Sequence, residues 1–215
     1  PFSDEEISAV LKDLPTDRAP SLDGFNGMFV KRCWTIIEKD FRQLVKEFYE
    51  GKISLQNINS CFITLIPKML APLCPNDFRP ISLTNNCLKF LTKLLANRLQ
   101  KVILKCIHKN QYGFLKHCSI QDCWARAFQY IHQCKQSKKP IIILKLDFAK
   151  DFDTVEHEAI LALLTAKGFP PKWIGWVKEI LSSGDSQVLL NGLPGNHFKC
   201  RRGVWLYPHF FLFWQ

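Results

Sequence analysis

The stretch Ile141-Ile-Ile-Leu-Lys-Leu-Asp147 constrains this chain more than any other. Ile141, Ile142, Ile143 and Leu144 form an apolar run rich in β-branched residues, the pattern of a strand covered on both faces. The run closes on Leu146 and Asp147. A carboxylate at the C-terminal end of a buried strand is costly unless a partner offsets it. A divalent cation is such a partner, because hard cations take oxygen ligands. Asp151 and Asp153 follow, and the chain reads as helix from Thr154. A strand that delivers an aspartate to a sheet edge points to metal-assisted phosphoryl chemistry. Asp153 and Thr154 read instead as the cap of the next helix, a use open to Asp151 as well.

Charge narrows the partners. Lys and Arg number 29 against 19 for Asp and Glu, a net +10, which suits a polyanion. Between Arg79 and Lys145 the only acid is Asp122. The first half of that region reads as a helix with Leu88, Leu91, Leu95, Leu99, Val102 and Ile107 on its apolar side. Lys89, Lys93, Lys101 and Lys105 fall on the other side. A solvated face normally mixes both signs, so this one points to phosphates. A membrane-surface helix is the rival reading, weakened because Phe90 is the only aromatic along the apolar side. No apolar run reaches the roughly 18 residues of a membrane span. The nine cysteines are odd in number and include no Cys-x-x-Cys pair. With no signal peptide at the start, they read as free thiols in a reducing, intracellular compartment, without disulfide partners. The first residue is Pro, as expected for a piece of a longer product.

The remaining elements follow from caps and periodicity. Ser3 and Glu6 form a capping box, followed by Ile7, Val10, Leu11 and Leu14 on one helical face and then Pro15. Residues 16–27 are a loop. A helix over residues 28–50 places Phe29, Ile37, Phe41, Leu44, Val45 and Phe48 inward and stops at Gly51. Residues 61–67 read as a strand, with Lys68 and a Pro-rich turn behind it. Ser119 and Asp122 cap a helix whose buried stripe is expected to be Trp124, Phe128 and Ile131. Helices over residues 155–167 and from Pro170-Pro171 precede a hairpin at residues 187–200. Residues 205–215 are almost wholly apolar and read as a sticky tail.

The order of these pieces resembles the reverse transcriptases of non-LTR (LINE-type) retrotransposons, plant ones especially. The likeness rests on Pro15-Thr-Asp-Arg-Ala-Pro-Ser-Leu-Asp-Gly-Phe25, Leu65-Ile-Pro-Lys68, Asn76-Asp-Phe-Arg-Pro-Ile-Ser-Leu83, Gln111-Tyr-Gly-Phe114, residues 144–155 and Arg202-Gly-Val204. It covers nearly the whole chain to Val204. The resemblance implies an α+β, right-hand polymerase fold with fingers, an incomplete palm and no thumb. Residues 1–140 would be helical fingers with a basic face, residues 141–204 a partial palm, and residues 205–215 an aberrant tail. Asp147 would be the catalytic aspartate that binds Mg²⁺ or Mn²⁺, helped by the backbone carbonyl of Phe148. Phe152 would exclude a ribose 2′-hydroxyl. Lys68 and Arg79 would hold the triphosphate of the incoming dNTP, and their donor chemistry suits that. RNA template and DNA primer, or their hybrid, are the implied partners, and the nucleus is the implied compartment.

The departures from the family pattern matter too. Asp151 stands where the family has Ala, Cys118 where it has Arg, and Ser21 where it has Gly. After Val204 the family's Gln-Gly-Asp-Pro motif and Asp-Asp pair are absent, as if the reading frame had shifted. Two-metal transfer needs carboxylates on both sides of the ions, so the chain alone is expected to be inactive. The alternatives are a residual nucleic-acid-binding module, a relic without function and, more remotely, a haloacid-dehalogenase-like phosphatase. That last reading uses Asp151-Phe-Asp-Thr-Val155 and leaves Asp147 unexplained.

Overall fold

The computed structural model describes residues 1–113, 115, 118–138, 140–146 and 155–199. Helix α1 (Asp4–Asp13) begins with the expected capping box: Ser3 Oγ accepts from the Glu6 N–H, and Glu6 Oε2 accepts from the Ser3 N–H. Ile7, Val10 and Leu14 are buried beneath it. The single helix expected over residues 28–50 is instead two, α2 (Gly27–Arg32) and α3 (Trp34–Glu50), broken at Cys33. Asn26 caps α2 through the Phe29 N–H at 3.0 Å. A Cβ on Gly27 would lie 2.0 Å from the Pro15 carbonyl oxygen, so only glycine lets α2 start against the end of α1. Phe41, Val45 and Phe48 of α3 are buried, but Phe29 of α2 is exposed and stacks on Phe25, with ring centroids 4.2 Å apart. Gly51 ends α3 in the left-handed region, φ 71°.

Strand β1 (Ser60–Pro67) pairs antiparallel with β2 (Phe78–Thr84). Helix α4 (Asn86–Cys106) follows and runs through the core. Leu88, Leu91, Leu95 and Leu99 are buried as expected. The four-residue row continues to Ile103, which is buried, whereas Val102 faces solvent. Phe90 is fully buried against Trp34 and Phe41, with ring centroids 6.0 and 5.2 Å away.

Helix α5 (Ile120–Gln136) carries the Ser119 capping box, yet none of its residues is buried. Trp124 is 61% and Phe128 65% exposed, and Ile131 only partly covered, so the expected buried stripe is corrected. The stripe marks which face is apolar; no described element covers it. Residues 141–146 form no strand, and Ile142 is 96% exposed. The apolar run pairs with none of the described strands.

Helices α6 (His157–Ala166) and α7 (Pro171–Ser182) pack together and bury Ile160, Leu164, Trp173, Val177, Ile180 and Leu181. Strand β3 (Asp185–Leu190) then pairs parallel with β1, and β4 (Leu193–Pro194) returns beside it, giving the order β2-β1-β3-β4. The β3–β4 turn uses Asn191 and Gly192, both at positive φ, as a tight hairpin requires. Buried Asn59 sets the parallel register. Its Nδ2 donates to the Ile180 carbonyl and to Ser183 Oγ, both at 2.7 Å, while its backbone carbonyl accepts from the Asp185 N–H at 3.0 Å. The architecture is thus a mixed α+β fold with a small sheet. Among the described residues no helix is long and apolar enough to cross a membrane.

Glu6 latches α1 to α4. The Arg98 guanidinium donates to both of its oxygens, at 2.8 and 2.7 Å, and stacks 4.0 Å over the Phe2 ring. That pairing, against the opposing effect of burial, holds the Glu6 carboxyl down at about 2, from an ordinary 4.5. Because the folded-state value is depressed, the pair stabilises fully above about pH 4.5, and its contribution is lost as pH falls toward 2. Arg98→Met should cost about 1–2 kcal/mol at neutral pH after allowance for screening by water. Urea melts from pH 7 down to about 2 should show that cost shrinking across this window; a constant difference would contradict the assignment.

Candidate nucleotide-binding hairpin

The β1–β2 hairpin is built by alternation. Cys61 and Ile63 point into the core, so Phe62, Thr64 and Ile66 lie on the opposite face. Across the ladder these three sit beside Leu83, Ile81 and Arg79 respectively. Pro67 ends β1, and the Lys68 N–H donates to the Asp77 carbonyl at 2.7 Å, extending the pairing by one step. Lys68 follows Ile66 by two residues, just past the end of β1, so strand alternation carried one step further would make it the diagonal neighbour of Arg79. Such neighbours typically have Cβ atoms about 7–8 Å apart or somewhat less. Both side chains are exposed at the same end of the sheet.

The turn between them is closed by Asp77. Its Oδ2 accepts from the Leu73 N–H at 2.9 Å and the Cys74 N–H at 3.0 Å. These donors, Leu73 first and Cys74 next, hold the Asp77 carboxyl below the usual carboxylate range. The Lys68 ammonium donates to the Asn76 carbonyl at 2.7 Å, which keeps its stem along the turn. The base of the hairpin is tied to the loop at residues 16–26. Ser21 Oγ donates to the Leu83 carbonyl, and Asn86 Nδ2 donates to the Phe25 carbonyl at 2.7 Å. The sequence motif around residues 15–25 thus lies against the hairpin, a proximity that spacing along the chain does not disclose.

The α4 lysines are less uniform than the charge run suggests. Lys93 Nζ lies 3.8 Å from Asp13, and Lys101 Nζ lies 3.9 Å from Glu6. The acids of α1 therefore share that face, across space rather than along the chain. Lys89 is partly buried, and burial pushes its pKa down, with Asp23 opposing that shift and Arg18 adding to it. Lys105 is exposed at the far end. The cleft between α1 and α4, lined by Glu5, Glu6, Asp13, Asn97 and Lys101 among others, is mixed in sign and no site for a polyanion alone.

Asp147, Phe148 and Phe152, the expected metal and sugar contacts, lie outside the described residues, as do Asp151, Asp153 and Thr154. Among the described residues no group of three His, Cys, Asp or Glu could hold a metal ion. Asp77 and Asn86 are the residues that sequence reading left without a role. The Pro-Asn-Asp turn composition at residues 75–77 was the signal for the first.

Residues 66–205 match the family model described as reverse transcriptase (RNA-dependent DNA polymerase), roughly two thirds of the chain. The matched span contains Lys68, Arg79, the four α4 lysines, Asp147, Phe148 and Phe152, and it takes in the segment on which the phosphatase reading rested. The chain is 27% identical over 192 residues to the transposon TX1 uncharacterized 149 kDa protein of Xenopus laevis, covering 89% of this chain and 15% of that protein. It is 25% identical over 205 residues to the retrovirus-related Pol polyprotein from the type-1 retrotransposable element R2 of Nasonia vitripennis, covering 95% and 19%. It is also 25% identical over 189 residues to a probable RNA-directed DNA polymerase from transposon BS of Drosophila melanogaster, covering 84% and 20%. The chain spans no more than a fifth of the length of these relatives.

Proposed function

Because this chain belongs to the reverse transcriptase (RNA-dependent DNA polymerase) family, we propose that it forms the fingers and first palm segment of a retroelement polymerase that copies RNA into DNA. The observation that supports this reading is the hairpin itself, at one end of which Lys68 and Arg79 are both exposed. Arg79 offers a planar fork and Lys68 a point charge, a donor set matched to the triphosphate of an incoming dNTP. Residues 1–140 form the fingers in this reading, and the palm begins at residue 141.

Asp147 and the Phe148 carbonyl are the proposed ligands for Mg²⁺ or Mn²⁺, a hard-oxygen pair suited to such ions. When bound, the ions supply charge stabilisation for phosphoryl transfer. Phe152 is the proposed bar to a ribose 2′-hydroxyl. Lys89, Lys93, Lys101 and Lys105 are the proposed contacts to the phosphates of an RNA–DNA hybrid; Lys105 is exposed, Lys89 is partly buried, and Lys93 and Lys101 are shared with α1. The nucleus is the compartment this reading implies.

The 215-residue chain by itself holds only half of the metal-binding carboxylates. After Asp153 its acids are Glu156, Glu158, Glu179 and Asp185, with no Asp-Asp pair. Glu179 already accepts from the Leu55 N–H at 3.2 Å, and Asp185 lies 2.5 Å from His197 Nδ1. Primer extension on an RNA template with Mg²⁺ or Mn²⁺ should therefore yield no cDNA, while the chain retains a primer–template hybrid with an affinity that falls steeply as salt rises. Template-dependent incorporation would contradict the half-site account, and salt-independent or absent hybrid binding would contradict the polymerase reading.

A further inference from the structure

We propose that Asp77 is a positioning residue for triphosphate binding, the group that holds Lys68 and Arg79 in a common frame. The inference rests on the triphosphate reading of those two side chains. Nine residues lie between Lys68 and Phe78, where β2 begins, and most of that stretch has no ladder to fix it. Within it, Asp77 makes four ordering bonds at once, one of them from its own N–H to the Cys74 carbonyl at 3.0 Å. Its carboxylate accepts the N–H groups of Leu73 and Cys74, and its carbonyl accepts the N–H of Lys68. The two carboxylate bonds fold the outer turn onto the start of β2, two residues before Arg79. The carbonyl bond fixes the backbone from which the Lys68 side chain departs.

The turn owes little to burial. Leu70 and Leu73 are fully exposed, and Met69, Cys74 and Asn76 lie in solvent. Hydrogen bonding rather than packing therefore sets its shape, and the Asp77 carboxylate supplies two of those bonds beside the one from the Lys68 ammonium to the Asn76 carbonyl. A carboxylate beside a triphosphate would ordinarily repel it, but here the charge is spent on backbone donors that aim at Oδ2. What the hairpin needs is an acceptor at this position rather than a negative charge. Asn can meet that need through Oδ1; Ala cannot.

Binding of radiolabelled dATP to the full chain, by equilibrium dialysis in Mg²⁺, separates the possibilities. Asp77→Ala should weaken dATP binding about tenfold, the scale of losing one preorganised side-chain clamp. Asp77→Asn should bind as wild type or somewhat tighter, and both variants should keep the wild-type hybrid affinity. A residue with a merely structural role would lower both affinities together, and that result would overturn the inference. So would an Asp77→Asn chain as weak as Asp77→Ala, or wild-type dATP binding by Asp77→Ala while Lys68→Ala weakens it. Wild-type binding by Lys68→Ala would instead overturn the triphosphate reading on which the inference stands.

Discussion

Replacing Phe90 by Ala should cost about 3–5 kcal/mol of folding stability, the range for removing a fully enclosed aromatic ring. Phe90 is 0% exposed and meets the ring of Phe41 edge-on and that of Trp34 face-on. Those three rings join α4 to α3, so the cavity left behind would be lined by large, stiff groups that cannot close over it. Total stabilities of domains run about 5–15 kcal/mol, so a large share of the whole would go. Urea denaturation followed by circular dichroism gives the measurement. Phe90→Leu should cost clearly less, because most of the volume is restored. A loss below about 1 kcal/mol for the Ala variant would mean that α4 is not the enclosed centre of the core.

Much of this core was legible from local chemistry. The Ser3 and Ser119 capping boxes, the Gly51 stop and the row from Leu88 to Leu99 each rest on a few neighbouring residues. What escaped depended on partners distant in sequence. Strand β2 was hidden by Pro80, which cannot donate to a ladder; it is tolerated because β2 is the edge strand. The parallel β1–β3 pair depends on buried Asn59 meeting α7 some 120 residues later. Helix α5 shows the converse. Its period gave the right helix and the right apolar face, but periodicity does not tell whether another surface covers that face. The α4 lysines taught the same lesson in charge, since the acids that neutralise two of them arrive on α1. The candidate nucleotide-binding hairpin was half legible: Lys68 and Arg79 stood in recognisable motifs, whereas the turn chemistry of Asp77 between them emerged only from the fold.

The second large effect belongs to Lys68 and Arg79 themselves. A hydrogen bond to a charged group is typically worth about 1.5–3 kcal/mol, so each cation should contribute about tenfold or more to triphosphate affinity. The Lys68→Ala, Arg79→Ala double variant should then bind dATP about a hundredfold more weakly, and affinity for deoxyadenosine, which has no phosphates, should not change. Folding should survive, because both side chains are exposed on one end of the sheet and neither takes part in the core. Arg79→Lys should recover only part of its loss, since an ammonium cannot reproduce the planar fork. Equilibrium dialysis of dATP against the wild-type and doubly substituted chains is the most direct test of the reverse transcriptase reading of this hairpin. The account predicts a hundredfold loss confined to the triphosphate; equal dATP binding by the two chains would contradict it.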